Sequence, residues 1–264
     1  MSNNSIYKPK GKAGEYSEWA CNLYNGCTNG CDYCYLKRGI TQTVLGVSTP
    51  VVKKTLGGTP ERAYEIFCKE LSEYKTEIVG DGSGYLFFTF TSDPCLPDTI
   101  DLNMKCIKTA INEGVSIMML TKRADFLNHQ AFLGVLGACD NSKLAIGFTL
   151  TGRDDREPNA STNQDRIDAI RRLHEMGIYT WASIEPIIDL RSSYKMVQET
   201  CSFCDLYKIG IISGEKPNYT PQNVRDFVSY VRRLVPDDRI YWKESIIKYA
   251  KQGLNNLILN SYEK

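Results

Sequence analysis

What most restricts the folds open to this chain is a repeated exchange between two kinds of segment. TPERAYEIFCKELSEYK (59–75) gives way to YLFFTFTSDPC (85–95), DLNMKCIKTAINEG (101–114) to VSIMMLTKR (115–123), and ADFLNHQAFLGVLGAC (124–139) to KLAIGFTLTG (143–152). The pattern continues with NQDRIDAIRRLHEMG (163–177) before IYTWASIEPIID (178–189), SYKMVQETCSFC (193–204) before LYKIGIIS (206–213), and TPQNVRDFVSYVRRLV (220–235) before RIYWK (239–243). The longer, amphipathic segments read as helices and the short apolar ones as strands. Gly177 marks a helix stop, and Thr220 followed by Pro221 marks a start, because threonine caps free amides and proline suits the first turn. Strands that are apolar on both faces suit a parallel sheet covered on both sides. With a further strand expected at EWACNLYNG (18–26), at least six β–α units follow one another without a linker-like break. One continuous α/β barrel, full or partial, is the simplest architecture.

Composition allows this and excludes alternatives. A chain of 264 residues, 42% hydrophobic, can bury one barrel-sized core. No apolar run approaches the roughly 18 residues that suggest a membrane span, and MSNNSIYKPKGKAG is basic without the apolar stretch of a signal peptide. A soluble, unexported, cytoplasmic protein is expected. In that setting the ten cysteines read as reduced thiols or metal ligands, not disulfides. A net charge of +1 names no partner, although a local basic groove is compatible with it.

In parallel barrels the functional residues gather where strands end, because the loops at the C-terminal rim converge on one cavity. The polar residues of this chain concentrate there: Thr91, Ser92 and Asp93 after the second strand, Thr121 and Lys122 after the third, Thr149 and Thr151 after the fourth, Glu185 on the fifth, Ser213 and Gly214 after the sixth. The loop after the first strand is YNGCTNGCDYCYLKRG (24–39), with Cys27, Cys31 and Cys34 spaced C-x3-C-x2-C. A structural zinc site closes with four ligands, whereas the next cysteines, Cys68 and Cys95, lie in other elements. A [4Fe-4S] cluster tolerates three thiolates, leaving one iron open to a non-protein ligand. Zinc and inert thiols remain the alternatives.

C-x3-C-x2-C with an aromatic before the last cysteine, on the loop after the first barrel strand, resembles the radical S-adenosylmethionine (SAM) superfamily. The resemblance implies a partial (β/α)6 TIM-like barrel with its core at about 16–214 and a C-terminal extension over 215–264. It implies a [4Fe-4S] cluster on Cys27, Cys31 and Cys34, with SAM on the open iron. An electron from the cluster then cleaves SAM, and the resulting 5′-deoxyadenosyl radical abstracts hydrogen from substrate. Carried over by position, Tyr33 neighbours adenine, Ser92 and Asp93 hold the methionine end, and Lys122 pairs with its carboxylate. Thr149 and Thr151 contact ribose, Glu185 makes a polar contact, and Ile212, Ser213 and Gly214 support adenine. CDYCY, TSD, LTK and SIEP together resemble the spore photoproduct lyase-like, DNA repair photolyase-like group. There, Tyr33 and Tyr35 match tyrosines that help return hydrogen to the product radical. Cys95, after the TSD segment, is the candidate thiol donor, with Phe90 in the position expected for it.

The resemblance further implies a low-potential electron donor, flavodoxin- or ferredoxin-like, and a substrate that is DNA or another nucleic acid, with no membrane partner. Modification of a peptide, RNA or small molecule is the alternative within the enzyme class, and a non-catalytic iron–sulfur electron-transfer or sensor protein lies outside it. Cys201-x2-Cys204 is half a metal site at most. Cys21, Cys68, Cys106 and Cys139 read as core thiols, and His129 and His174 as structural. Lys37 and Arg38, just past the cluster loop, are expected to face the substrate.

Overall fold

The computed structural model describes residues 4–38, 42, 47–80 and 84–253. Its centre is an eight-stranded sheet. Strand β1 (Ile6–Tyr7) lies at one edge, antiparallel to β2 (Trp19–Cys21). From β2 the order runs through β5 (Tyr85–Phe88), β6 (Ser116–Thr121), β7 (Leu144–Thr149), β8 (Tyr179–Ile187), β9 (Leu206–Ile211) and β10 (Ile240–Trp242), each parallel to the next. Helices α1 (Pro60–Gly80), α2 (Ile100–Asn112), α3 (Gln130–Leu136), α4 (Asn163–Glu175), α5 (Leu190–Thr200), α6 (Pro221–Leu234) and α7 (Glu244–Ala250) accompany the strands. The stretch beyond 214, which the resemblance sets apart as an extension, adds α6 and a seventh parallel strand to this same sheet.

Local chemistry explains the helix boundaries. Thr162 and Thr220 each accept a hydrogen bond from the third residue of the helix that follows, and the side chains of Asp165 and Asn223 answer the cap amides. Pro221 stands in the first turn, as the sequence predicts. The helix expected over 124–139 is interrupted. A 3-10 turn, Asp125–Asn128, leads to an extended His129, whose Nδ1 accepts the Ala131 amide and so caps α3. The first expected strand also divides. After Cys21 the side chain of Asn22 accepts the Phe90 amide at 2.7 Å, and the chain leaves the sheet to form a two-stranded ribbon, β3 (Tyr24–Asn25) against β4 (Val51–Val52).

The core has two sides. The larger part packs between sheet and helices, whereas Ala20, Phe87, Met118, Ala145 and Trp181, from neighbouring strands, meet inside the curve of the sheet. Trp181 fits there because position 147 is glycine: a Cβ would lie 2.1 Å from the indole ring. Tyr16 and Phe90 pack on Phe87, at 5.5 and 4.4 Å between ring centroids. This aromatic layer floors the cavity above.

Candidate active site

The strand ends and the cysteine loop surround a cavity of about 1110 Å³. Cys27, Cys31 and Cys34 line it together with Tyr33, Tyr35, Ser92, Asp93, Lys122, Thr149, Glu185, Ile212 and Ser213. Two Asn-Gly-Cys steps shape the loop. Gly26 and Gly30 take φ of 93° and 75°, and a Cβ on Gly26 would come within 2.7 Å of the Thr49 carbonyl, so only glycine turns the chain there without strain. The β7–α4 loop then clamps the cysteine loop from outside. Asn159 donates from its amide to Asn29 O at 3.2 Å and from its side chain to Thr28 O at 3.0 Å. The Asp32 amide donates to Arg156 O at 3.2 Å, Arg156 returns an ion pair to Asp32, and the Tyr33 hydroxyl donates to Glu157.

The three thiols sit in a largely apolar setting, where Cys31 and Tyr33 pack with Ile188 and Ile212 and Cys34 rests against them. Burial pushes the Cys27 thiol up to about 12, with the charge of Asp93 adding to it. Burial also raises Cys31, against the pull of Lys122. A bound cation reverses this, because a coordinating thiol gives up its proton. Among the described residues, no group of three or more His, Cys, Asp or Glu side chains is arranged around a single metal ion. Three soft thiols that need not converge on one point fit a cluster, in which each serves a different iron.

Asp93 ties the loop to the barrel. Its carboxylate accepts from Asn29 Nδ2 (2.7 Å), the Lys122 amide (2.8 Å), the Thr121 hydroxyl (2.6 Å) and the Cys95 amide (3.0 Å). An ionised carboxylate accepts about four hydrogen bonds, so Asp93 is filled by the protein and braces the site. Ser92 stays on the cavity wall. Lys122 differs: among the described residues its Nζ makes no hydrogen bond, standing 4.0 Å from Glu157 and 5.6 Å from the Tyr33 ring centre. Burial lowers its pKa, but the neighbouring Cys31 and Glu157 more than offset this and leave it raised.

The sequence overlooks the group beneath Lys122. Glu157 and Arg166 are side chains with no exposed surface, paired at 2.5 Å, and Arg166 also donates to Thr149 O at 2.6 Å. The signal was positional: Glu157 follows the fourth strand in GRDDREPNAS, as Thr149 and Thr151 do. Lys243 and Tyr16, which the sequence also overlooks, form a second group with the nominated Glu185. Lys243 donates to Glu185 Oε2 at 2.5 Å, Tyr16 donates to the same oxygen at 2.7 Å, and the Lys243 ammonium lies 3.6 Å from the Tyr16 ring centre.

Three nominated residues do not line the cavity. Cys95 is 3% exposed, packs in the core and directs its thiol to Met119 Sδ at 3.8 Å. Thr151 is buried and donates to Glu157 Oε2 at 3.1 Å. Gly214, at φ 77°, backs onto Arg38, whose Nη1 would lie 2.9 Å from an added Cβ. Of the two tyrosines, Tyr33 is held by Glu157, while Tyr35 is 53% exposed, its hydroxyl donating to Phe90 O. Lys37 and Arg38 secure the loop: Lys37 donates to Cys31 O at 3.0 Å, and Arg38 pairs with Glu215 and donates to Ser213 O at 3.2 Å. Cys201 and Cys204 fall in the turn after α5, where each thiol donates to a backbone carbonyl at 3.4 Å.

Sheet order, strand-end cavity and loop define a class first, a partial α/β barrel with three thiols of one loop on its strand-end cavity. No family model matches the chain. A curated relative, an uncharacterized protein of Methanocaldococcus jannaschii, is 26% identical over 252 residues, covering 91% of this chain and 86% of the relative. Among solved structures, spore photoproduct lyase complexed with dinucleoside spore photoproduct has a TM-score of 0.61 at 17% identity, over 86% of this chain and 77% of that one. SuiB of Streptococcus suis bound to S-adenosylmethionine has a TM-score of 0.56 at 11% identity, over 89% of this chain and 53% of that one. The likeness establishes the fold, and with it the architecture that the cysteine motif implies.

Proposed function

We propose that this protein is a radical SAM enzyme with a [4Fe-4S] cluster on Cys27, Cys31 and Cys34. The observation that carries the reading is that three thiols of one loop line the strand-end cavity of a radical SAM fold, together with Lys122, a partly buried cation that makes no hydrogen bond among the described residues. When bound, the cluster and SAM supply one-electron cleavage of the sulfonium and hence hydrogen abstraction from substrate. The chain's own residues bind and orient. Lys122 offers its ammonium to the SAM carboxylate in a partly desolvated place, where a charge-assisted hydrogen bond is strong. Ile212 and Ser213 give an apolar and backbone rest, and the Phe87–Phe90–Tyr16 layer excludes water from below. Tyr35, on the cavity wall and half exposed, is the better placed of the two tyrosines to return hydrogen to product.

The substrate is anionic, and a damaged nucleic acid of the thymine-photoproduct kind is the first candidate. Among the described residues, Lys12, Lys53, Lys54 and Lys122 line the cavity beside a Lys243–Glu185 pair that is closed on itself and an Asp93 already engaged by protein donors. A cationic, aromatic-walled groove suits phosphates and bases. Anaerobic reconstitution, followed by dithionite and SAM, is expected to yield 5′-deoxyadenosine. Its absence from protein with an intact cluster and bound SAM would sink the enzymatic reading. Recovery of thymine from UV-irradiated DNA then tests the substrate; turnover of SAM without recovered thymine would rule out that lesion.

A further inference from the structure

We infer that Glu157 sets the electron affinity of the three-cysteine site, as a fixed buried negative charge that makes a cluster there harder to reduce. This rests on the cluster reading proposed above. Glu157 uses its two oxygens in opposite directions. Oε2 is gripped from behind by Arg166 at 2.5 Å and Thr151 at 3.1 Å. Oε1 faces the cysteine loop, where it accepts the Tyr33 hydroxyl and lies 4.0 Å from Lys122 Nζ. Tyr33 directly precedes Cys34 and packs with Cys31. The negative end of the pair is therefore turned toward the thiols, with Arg166 on the far side. Asp154, 3.6 Å from Arg166, is half exposed and better screened.

Cluster potentials respond to net charge, hydrogen bonding and solvent exposure. Reduction adds one electron from a low-potential donor to a group already anionic with three thiolates, so a buried carboxylate opposes it and a partly buried ammonium favours it. Glu157 and Lys122 act against each other on the same centre.

The test is a redox titration of the reconstituted full-length protein without SAM, followed by the visible absorbance of the cluster. E157Q is expected to raise the reduced-to-oxidised ratio at a fixed potential about tenfold, ~59 mV for one electron. K122M is expected to lower it, whereas E157D and Y33F, which keep the charge, should shift it by less than about a third of that. Loosening of the site alone would not move the two charge variants in opposite directions. If E157Q and K122M shift the same way, or neither shifts, the inference fails. Should E157Q not fold, the double variant E157Q/R166M leaves no unpaired buried charge, and a smaller rise is expected from loss of the oriented pair; no rise would overturn the inference. A wild type without iron and sulfide after reconstitution overturns instead the cluster reading on which it rests.

Discussion

Two lysines, Lys122 partly buried and Lys243 fully so, face glutamates across the same cavity, and they are connected in opposite ways. On the cysteine side, Lys122 stands 4.0 Å from a Glu157 that Arg166, Tyr33 and Thr151 already satisfy. On the far side, Lys243 is bound at 2.5 Å to Glu185, with Tyr16 on the same oxygen and Gly210 leaving the room; a Cβ there would be 2.8 Å from Glu185 Oε1. The pKa shifts differ in sign. Lys122 is raised, because Cys31 and Glu157 outweigh burial, whereas Lys243 is lowered, because burial outweighs Glu185. A lysine whose partner is filled keeps its donors for an incoming anion. A lysine closed into a pair serves the fold. The cysteine side is thus prepared for a ligand, and the far wall is held together.

The most severe way to break this contrast is at the thiols. Alanine at Cys27, Cys31 or Cys34 is expected to abolish cluster incorporation, read as iron and sulfide content, and with it formation of 5′-deoxyadenosine. Full iron content in any of the three would remove that side of the comparison. Next comes the pair of lysine truncations. K243M leaves a mostly buried carboxylate with no cation at 2.5 Å and is expected to cost about 3 kcal/mol in urea unfolding. K122M, whose glutamate keeps Arg166, should cost about 1 kcal/mol or less while weakening SAM binding about tenfold or more. Equal stability losses would erase the distinction.

A third measurement sharpens the far wall. Lys208 donates to the carbonyls of Glu15 and Tyr16, and burial, reinforced by the charge of Lys243, holds its pKa at about 8. Its usual value is 10.5, so between pH 8 and 10.5 the folded protein binds fewer protons than the unfolded chain, and this group makes stability rise with pH. Relative to K208M, the wild type is expected to gain stability across that window, by about 3 kcal/mol at most. A flat difference would show that the buried ammonium is not strained. The smallest effect is expected at Cys95. C95A removes a core thiol, should cost about 1 kcal/mol, and should leave the yield of 5′-deoxyadenosine and of any product unchanged; altered hydrogen return would give that thiol a role that its position behind the wall does not provide.

Much of this molecule is legible without coordinates because the governing signals are local. Apolar runs of strand length, a Thr-Pro start and a Gly stop locate the elements to within a few residues, and Thr220 caps its helix as predicted. The breaks come where a side chain outcompetes the backbone pattern. His129 caps α3 from what reads as mid-helix, and Asn22 draws the chain out of the sheet. The site divides the same way. Three cysteines at fixed spacing advertise themselves, and strand ends identify Ser92, Lys122, Thr149, Glu185, Ile212 and Ser213, all on the cavity wall. Cys95, Thr151 and Gly214 share those strand ends but face elsewhere, since a shift of one or two residues turns a side chain from cavity to core.

The sequence by itself determined the order of strands and helices and the position and chemistry of the three-thiol loop, because each depends on neighbours within a few residues. Only the tertiary structure decided which charges meet. Glu157 is 124 residues from Tyr33, and Lys243 is 58 from Glu185. Nothing local marks either pair, since a buried charge is stable only beside the partner that the finished fold brings to it.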